Sequence, residues 1–261
     1  SATAGADFLT IPAQTLTFAA GSSDGATRTV TVTGLADALL EGDETIVLQL
    51  SGVTGTGVSL GATTSHTATI TDDESAALSF AGGAASIPET GGSTTVTVAL
   101  SVSGGGTLAT PVTVQLSDTG TGSGTSGADY TAVATRTLTF AAGSADGATQ
   151  SVTVTALADP DVEGDESVIL ALSAPSGPAT TLGASASRTI TVTDDDSASI
   201  AFAMAGSSAN ESGGSSTVSV TLSIANSGSI KAASTVQLSD AGTGSATSGS
   251  DYLAVAAQTL T

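Results

Sequence analysis

The chain has 261 residues, with 24 Asp plus Glu against 4 Lys plus Arg and a formal net charge of −20, a balance that excludes electrostatic attraction to nucleic acid or anionic membranes. Its longest apolar runs, such as Val168 to Leu172, fall far short of the ~20 residues of a spanning helix. Cys is absent, so neither disulfides nor thiolate metal sites are available, and a mean hydropathy of +0.31 with only 11% charged residues argues against disorder.

From the N-terminus, Asp7-Phe8, Thr15-Leu16-Thr17-Phe18, Glu41-Gly42-Asp43-Glu44, Thr71-Asp72-Asp73-Glu74 and Glu89-Thr90-Gly91-Gly92 each recur 122 residues later. The copies are Asp129-Tyr130, Thr137-Leu138-Thr139-Phe140, Glu163-Gly164-Asp165-Glu166, Thr193-Asp194-Asp195-Asp196 and Glu211-Ser212-Gly213-Gly214, and Asp251-Tyr252 follows Asp129-Tyr130 after the same interval. A period this long, without slippage, implies one domain per repeat rather than a solenoid coil. The expected division is residues 1–74 as the later part of one unit, 75–196 as a complete unit, and 197–261 as the earlier part of a third. With no initiator Met or leader-like segment, the chain is expected to be a processed product or an excerpt of a longer polypeptide. The partial units would be completed by that continuation or by strand sharing with a neighbouring copy.

Within 75–196, alternating segments predict strands at Ala76 to Phe80, Ser93 to Ser103, Pro111 to Ser117, Tyr130 to Phe140, Thr149 to Leu157, Glu166 to Ser173 and Ser187 to Thr193. In the fifth, Val152, Val154 and Ala156 share one face while Ser151, Thr153 and Thr155 share the other, the pattern of a half-buried antiparallel strand. Seven such strands with Gly-rich connectors and no amphipathic helix predict an all-β Greek-key sandwich of immunoglobulin type. Its small side chains make a thin core, which gains from an added crosslink.

The complete unit has twelve acids, and ten of them fall in four groups at strand ends or adjoining loops: Glu89; Asp129; Asp159, Asp161, Glu163, Asp165 and Glu166; and Asp194, Asp195 and Asp196. Only Asp118 and Asp146 stand apart. Along Ile190 to Phe202 an apolar face turns acidic at Asp194 and Asp196, where one unit meets the next. Carboxylates gathered at one tip repel one another unless cations bridge them. Calcium takes six to eight oxygens in tolerant geometry, whereas zinc favours His and Cys. The partial units supply the matching acids Asp7, Asp37, Glu41, Glu44, Asp72, Asp73 and Glu74, then Glu211 and Asp251. Acids at loops are ordinarily just solvated; here four groups recur together.

Gly127-Ala128-Asp129-Tyr130, Leu138-Thr139-Phe140, Ala158-Asp159 through Glu166, and Thr193 through Asp196 together resemble the Calx-β family, and the resemblance covers the whole unit and both partial ones. Members are immunoglobulin-like sandwiches in the calcium sensor of sodium–calcium exchangers, in an integrin subunit and in large bacterial surface proteins. The resemblance implies that Glu89, Asp129, the Asp159 to Glu166 loop and Asp194 to Asp196 converge at one tip and bind several Ca2+ ions. Leu39 stands where the second unit has Asp161, which implies fewer or weaker ions in the first.

His66, aligned with Arg188 on an exposed strand face, has no ligand-type neighbours. Asn210-Glu211-Ser212 fits a glycosylation acceptor but carries little weight, since Glu211 already has a place in the repeat. No catalytic set recurs with the repeat and no phosphate loop is present, so an enzyme is not expected. The leading expectation is a calcium-stiffened structural or adhesive extender or filament, extracellular on a bacterial surface, with adjacent repeats or copies of itself end to end as partners. A calcium-dependent regulatory sensor and a calcium-independent spacer are the alternatives.

Overall fold

A computed structural model describes residues 1–261. The first 74 residues contribute β1 (Leu39–Leu40), β2 (Glu44–Gln49) and β3 (Ser65–Ile70). The next stretch contributes β4 (Ala76–Ala81), β5 (Ala85–Pro88), β6 (Ser93–Val102), β7 (Thr107–Leu108), β8 (Val112–Asp118) and β9 (Arg136–Phe140). It continues with β10 (Thr149–Thr155), β11 (Glu166–Ser176), β12 (Thr180–Leu182) and β13 (Ser187–Thr193). The last part holds β14 (Ala198–Phe202), β15 (Val220–Ile224), β16 (Val236–Leu238) and β17 (Gln258–Leu260). There is no α-helix, and no helix is long and apolar enough to cross a membrane.

The strands between Ala76 and Thr193 form an immunoglobulin-like β-sandwich. One sheet has the order β10-β6-β4-β12 and the other β5-β13-β11-β8-β9. The first strand crosses between them: β4 pairs antiparallel with β6, whereas β5 pairs parallel with β13. Gly82, at φ +80, makes the switch without the steric penalty a Cβ would bring. Alternation drives the packing. Val96, Val98, Leu100 and Val102 of β6 and Val152 and Val154 of β10 face Val114 and Leu116 of β8, Val168 and Leu170 of β11 and Ile190 of β13, all buried. Phe80, Phe140 and Tyr130 supply the aromatic bulk. The Tyr130 hydroxyl donates to Asp118 Oδ2, so the ring is buried with its polar end satisfied.

The structure shortens one predicted strand and adds β5, β7 and β12 to those the sequence predicts. The strand expected over Tyr130 to Phe140 pairs only from Arg136, and Tyr130 makes an isolated bridge to Ala156. The cause is local: the Asp129 carboxylate accepts the Thr125 N–H at 2.5 Å and Gly127 N–H bonds Tyr130 C=O at 2.8 Å, a turn that competes with the ladder. The second change is an addition. Ala85–Pro88 is too short to show alternation and ends in a proline that has no N–H to donate, yet it is an edge strand.

The flanking segments expose apolar side chains whose repeat counterparts are buried. Phe18 is 53% exposed where its counterpart Phe140 is 1%, and Phe202 is 60% exposed where Phe80 is 5%.

Successive units are joined by more than the covalent chain. β1 pairs parallel with β7, Leu39 opposite Thr107 and Leu40 opposite Leu108. Thr107 N–H donates to Ala38 C=O and Ala109 N–H to Leu40 C=O, both at 2.9 Å. Leu40 and Leu108 are fully buried together, so a side chain of the first unit enters the core of the second. One period on, Val162 pairs parallel with Ile230, with Val162 N–H donating to Ser229 C=O at 2.8 Å and Lys231 N–H to Val162 C=O at 3.1 Å. Glycine permits this approach. A Cβ on Gly106 would lie 2.1 Å from Ala38 O, and one on Gly228 only 1.5 Å from Pro160 O.

Candidate metal centre

The acids collect at the joint end of each unit because short hydrogen-bonded loops hold them there. Asp194, just past β13, accepts the N–H groups of Glu163 at 3.0 Å and Gly164 at 2.7 Å through Oδ2, and that of Asp196 at 2.8 Å through Oδ1. Asp72 repeats the arrangement on Glu41, Gly42 and Glu74 at 2.9, 2.5 and 2.9 Å. Burial alone would push both carboxyls up, but these N–H groups hold them below the usual range. Asp194 and Asp72 are therefore anchors that remain anionic while they shape the loop bearing the next acids. Asp159 Oδ1 closes a further turn by accepting Asp161 N–H at 2.8 Å, as Asp37 Oδ1 does with Leu39 N–H at 2.8 Å.

Three groups result, each with one carboxylate oxygen per residue lying within 4.8 Å of the others: Asp7, Glu41 and Glu44; Asp129, Glu163 and Glu166; and Asp159, Asp161 and Glu163. The first two are the same triplet one period apart. The third has no counterpart in the first unit, where Leu39 replaces Asp161. Glu163 belongs to both groups of the second unit. In the first unit Asp37, Asp72, Asp73 and Glu74 line the same cavity as the triplet. In the second, Glu89 is buried at the end of β5 and its Oε1 accepts Asp159 N–H at 3.3 Å, which sets it beside the 159–163 loop. Asp196 is half-buried, whereas Asp195 and Asp73, the latter at the edge of that cavity, are exposed. Glu211 and Asp251 are exposed and belong to none of the three groups.

Crowding shows in the proton affinities. Burial first, then the neighbouring charges of Asp159, Asp194 and Glu163, push Glu89 up to about 7. Burial and the adjacent Asp129 push Glu166 up to about 7. Glu41 rises through burial and the charges of Asp7, Glu44, Asp37 and Asp72, and Glu44 through its contact with Asp7. Asp7 itself is held low, foremost by the Thr3 N–H. In the first triplet Asp7 is thus held ionised while Glu41 and Glu44 are pushed toward their neutral forms, and in the second Glu166 is pushed the same way beside Asp129.

The residues fit an oxygen-seeking divalent cation. Every donor is a hard oxygen, Asp7, Asp129 and Glu89 are buried with little water to disperse their charge, and Glu44 Oε2 is buried without any hydrogen-bond partner. A calcium ion takes such ligands in loose geometry, while zinc would find neither His nor Cys among them.

Composition could not reveal the joint residues Leu40, Ser229 and Lys231. Ser229 donates from N and Oγ to Asp161 Oδ1 at 2.7 and 2.6 Å, and the Lys231 ammonium lies 2.6 Å from Asp161 Oδ2 and 3.3 Å from Glu163 Oε1.

The Calx-beta domain model matches residues 1–74, 72–196 and 193–261. Among solved structures, the apo-form Calx CBD1 domain is 22% identical with a TM-score of 0.40, covering 46% of this chain and 97% of its own. CBD12 from CALX1.2 is 23% identical with a TM-score of 0.39 over 46% of this chain and 44% of its own, and the Calx CBD2 domain 15% with a TM-score of 0.35 over 45% and 86%. No curated protein matches the chain.

Proposed function

The chain belongs to the Calx-beta domain family, and from that premise we propose that it is a calcium-binding tandem-repeat module whose ions stiffen the joints between units. The observation that carries this reading is the repetition of Asp7, Glu41 and Glu44 as Asp129, Glu163 and Glu166 with the same mutual approach, beside a backbone-paired joint in both places. A calcium ion supplies positive charge that several carboxylates can share, turning their repulsion into a crosslink. Asp129, Glu163 and Glu166 would hold one ion of the complete unit. Asp159, Asp161 and Glu163 would hold a second, with Glu89, Asp194, Asp195 and Asp196 completing the charge around them. In the first unit the ion would rest on Asp7, Glu41 and Glu44, with Asp37, Asp72, Asp73 and Glu74 around it. Glu211 and Asp251 would take part only where a further loop follows.

The finer reading places the unit boundaries at 75 and 196 and assigns the array a non-enzymatic, structural or adhesive role as an extracellular extender or filament. Its support is a 122-residue repeat that never slips, connectors as short as Asp194 to Ser197, and a chain without cysteine. Partners would be adjacent repeats, or other copies covering the open faces at Phe18 and Phe202. Sedimentation across a concentration series tests that last point, since a monomer at all concentrations removes it.

Melting with excess calcium and with chelator tests the central claim. Binding confined to the folded state must raise the midpoint, by about 2.7 kcal/mol of stability at a hundredfold excess over Kd. Equal midpoints leave a calcium-independent spacer.

A further inference from the structure

The two joints share a backbone pairing and differ in chemistry. At the first, Leu40 and Leu108 are buried against each other, and positions 39 and 109 are Leu and Ala. At the second, their counterparts Val162 and Ile230 are only half-buried, and positions 161 and 231 are Asp and Lys. Asp161 and Lys231 therefore replace Leu39 and Ala109 together, one on each side of the joint. The polar side chains of the following unit converge on acids of the preceding one: Ser229 on Asp161, Asn226 Nδ2 on Asp196 Oδ1 at 2.8 Å, and Lys231 on both Asp161 and Glu163. At the first joint Gly104, Thr107 and Ala109 occupy those positions.

We infer that the Lys231 ammonium is a built-in cation for the group Asp159, Asp161 and Glu163, which holds the second joint closed without a metal ion and competes with a divalent cation for the same oxygens. The geometry carries both halves. A point charge 2.6 Å from one carboxylate and 3.3 Å from another lies where a metal shared by Asp161 and Glu163 would have to lie, and the two cations exclude each other by charge as well as volume. The second joint is then self-closing, whereas the first relies on apolar burial and has no ammonium to neutralise Glu41. The competition half rests on the calcium reading above; the clamp half does not.

Amide exchange in chelator isolates the clamp. In the Lys231→Ala chain the amides of Val162 and residue 231, which carry the joint's hydrogen bonds, should exchange about three- to ten-fold faster, as expected for losing a partly shielded ion pair. Thr107 and Ala109 at the first joint should be unchanged, and Lys231→Arg should restore protection. Equal exchange in wild type and Lys231→Ala overturns the clamp. Calcium titration of the same two chains decides the competition: one class of ion in Lys231→Ala should bind about three- to ten-fold more tightly, and unchanged or weaker binding overturns it. If neither chain binds calcium, the calcium reading and the competition fall together, while the exchange result still stands for or against the clamp.

Discussion

Glu89 and Glu166 both titrate near 7, well above an unstrained glutamate at about 4.5. A carboxyl whose folded pKa is raised binds more protons in the folded state than in the unfolded one. Its contribution to stability is full below about 4.5 and lost as pH rises through 7. Without metal the complete unit should therefore lose stability between pH 4.5 and 7, a trend opposite to that of a carboxylate held in an ion pair. The aspartates that are held low act only below their ordinary value of 3.8 and do not enter this window. Calcium requires the ionised forms, so its apparent affinity should rise over the same interval and its binding at pH 6 should release protons. Melting curves and calorimetry in buffers of different ionisation enthalpy check both. Glu89→Gln should flatten the metal-free pH trend, since the amide stays neutral where the acid does not. Asp194→Ala should act differently, costing about 1–3 kcal/mol in urea unfolding because it leaves the Glu163 and Gly164 amides without their acceptor.

Among the elements, the joint strands make the sharpest predictions. Gly106 has an ordinary φ of −80, so Ala there brings no strain of its own. Its Cβ would nevertheless meet Ala38 O at 2.1 Å. Gly106→Ala should thus leave the sandwich folded while parting β1 from β7, seen as rapid exchange at Thr107 and Ala109. Leu40→Ala should lower the stability of the unit it enters rather than the one it belongs to, by about 2–4 kcal/mol of lost packing, in denaturant unfolding followed at Tyr130. Neither residue stands out in the sequence. Glycine after Gly104-Gly105 reads as one more turn, and Leu40 lies in a loop where no period exists to mark it as core. The strands with long alternation, such as Thr149–Thr155, were legible because each residue's face follows from its neighbours. Ala85–Pro88 was not, since four residues carry too little pattern. The acids were legible as groups because they repeat. Lys231 was hidden for the opposite reason, because a repeat draws attention to what is kept and Lys231 is what changed.

Across the whole molecule, the joint face a unit presents to its successor differs from the face it presents to its predecessor. The 38–40 segment is always the giver and the 106–109 segment always the receiver, and the pair recurs at 160–162 and 228–231. Such a contact cannot be self-complementary and does not exhaust itself after two partners. An array built this way has a direction. Reversing one unit within it would set two givers or two receivers against each other, so order and orientation are written into every joint, and anything that recognises an exposed receiver edge can distinguish one end of the array from the other.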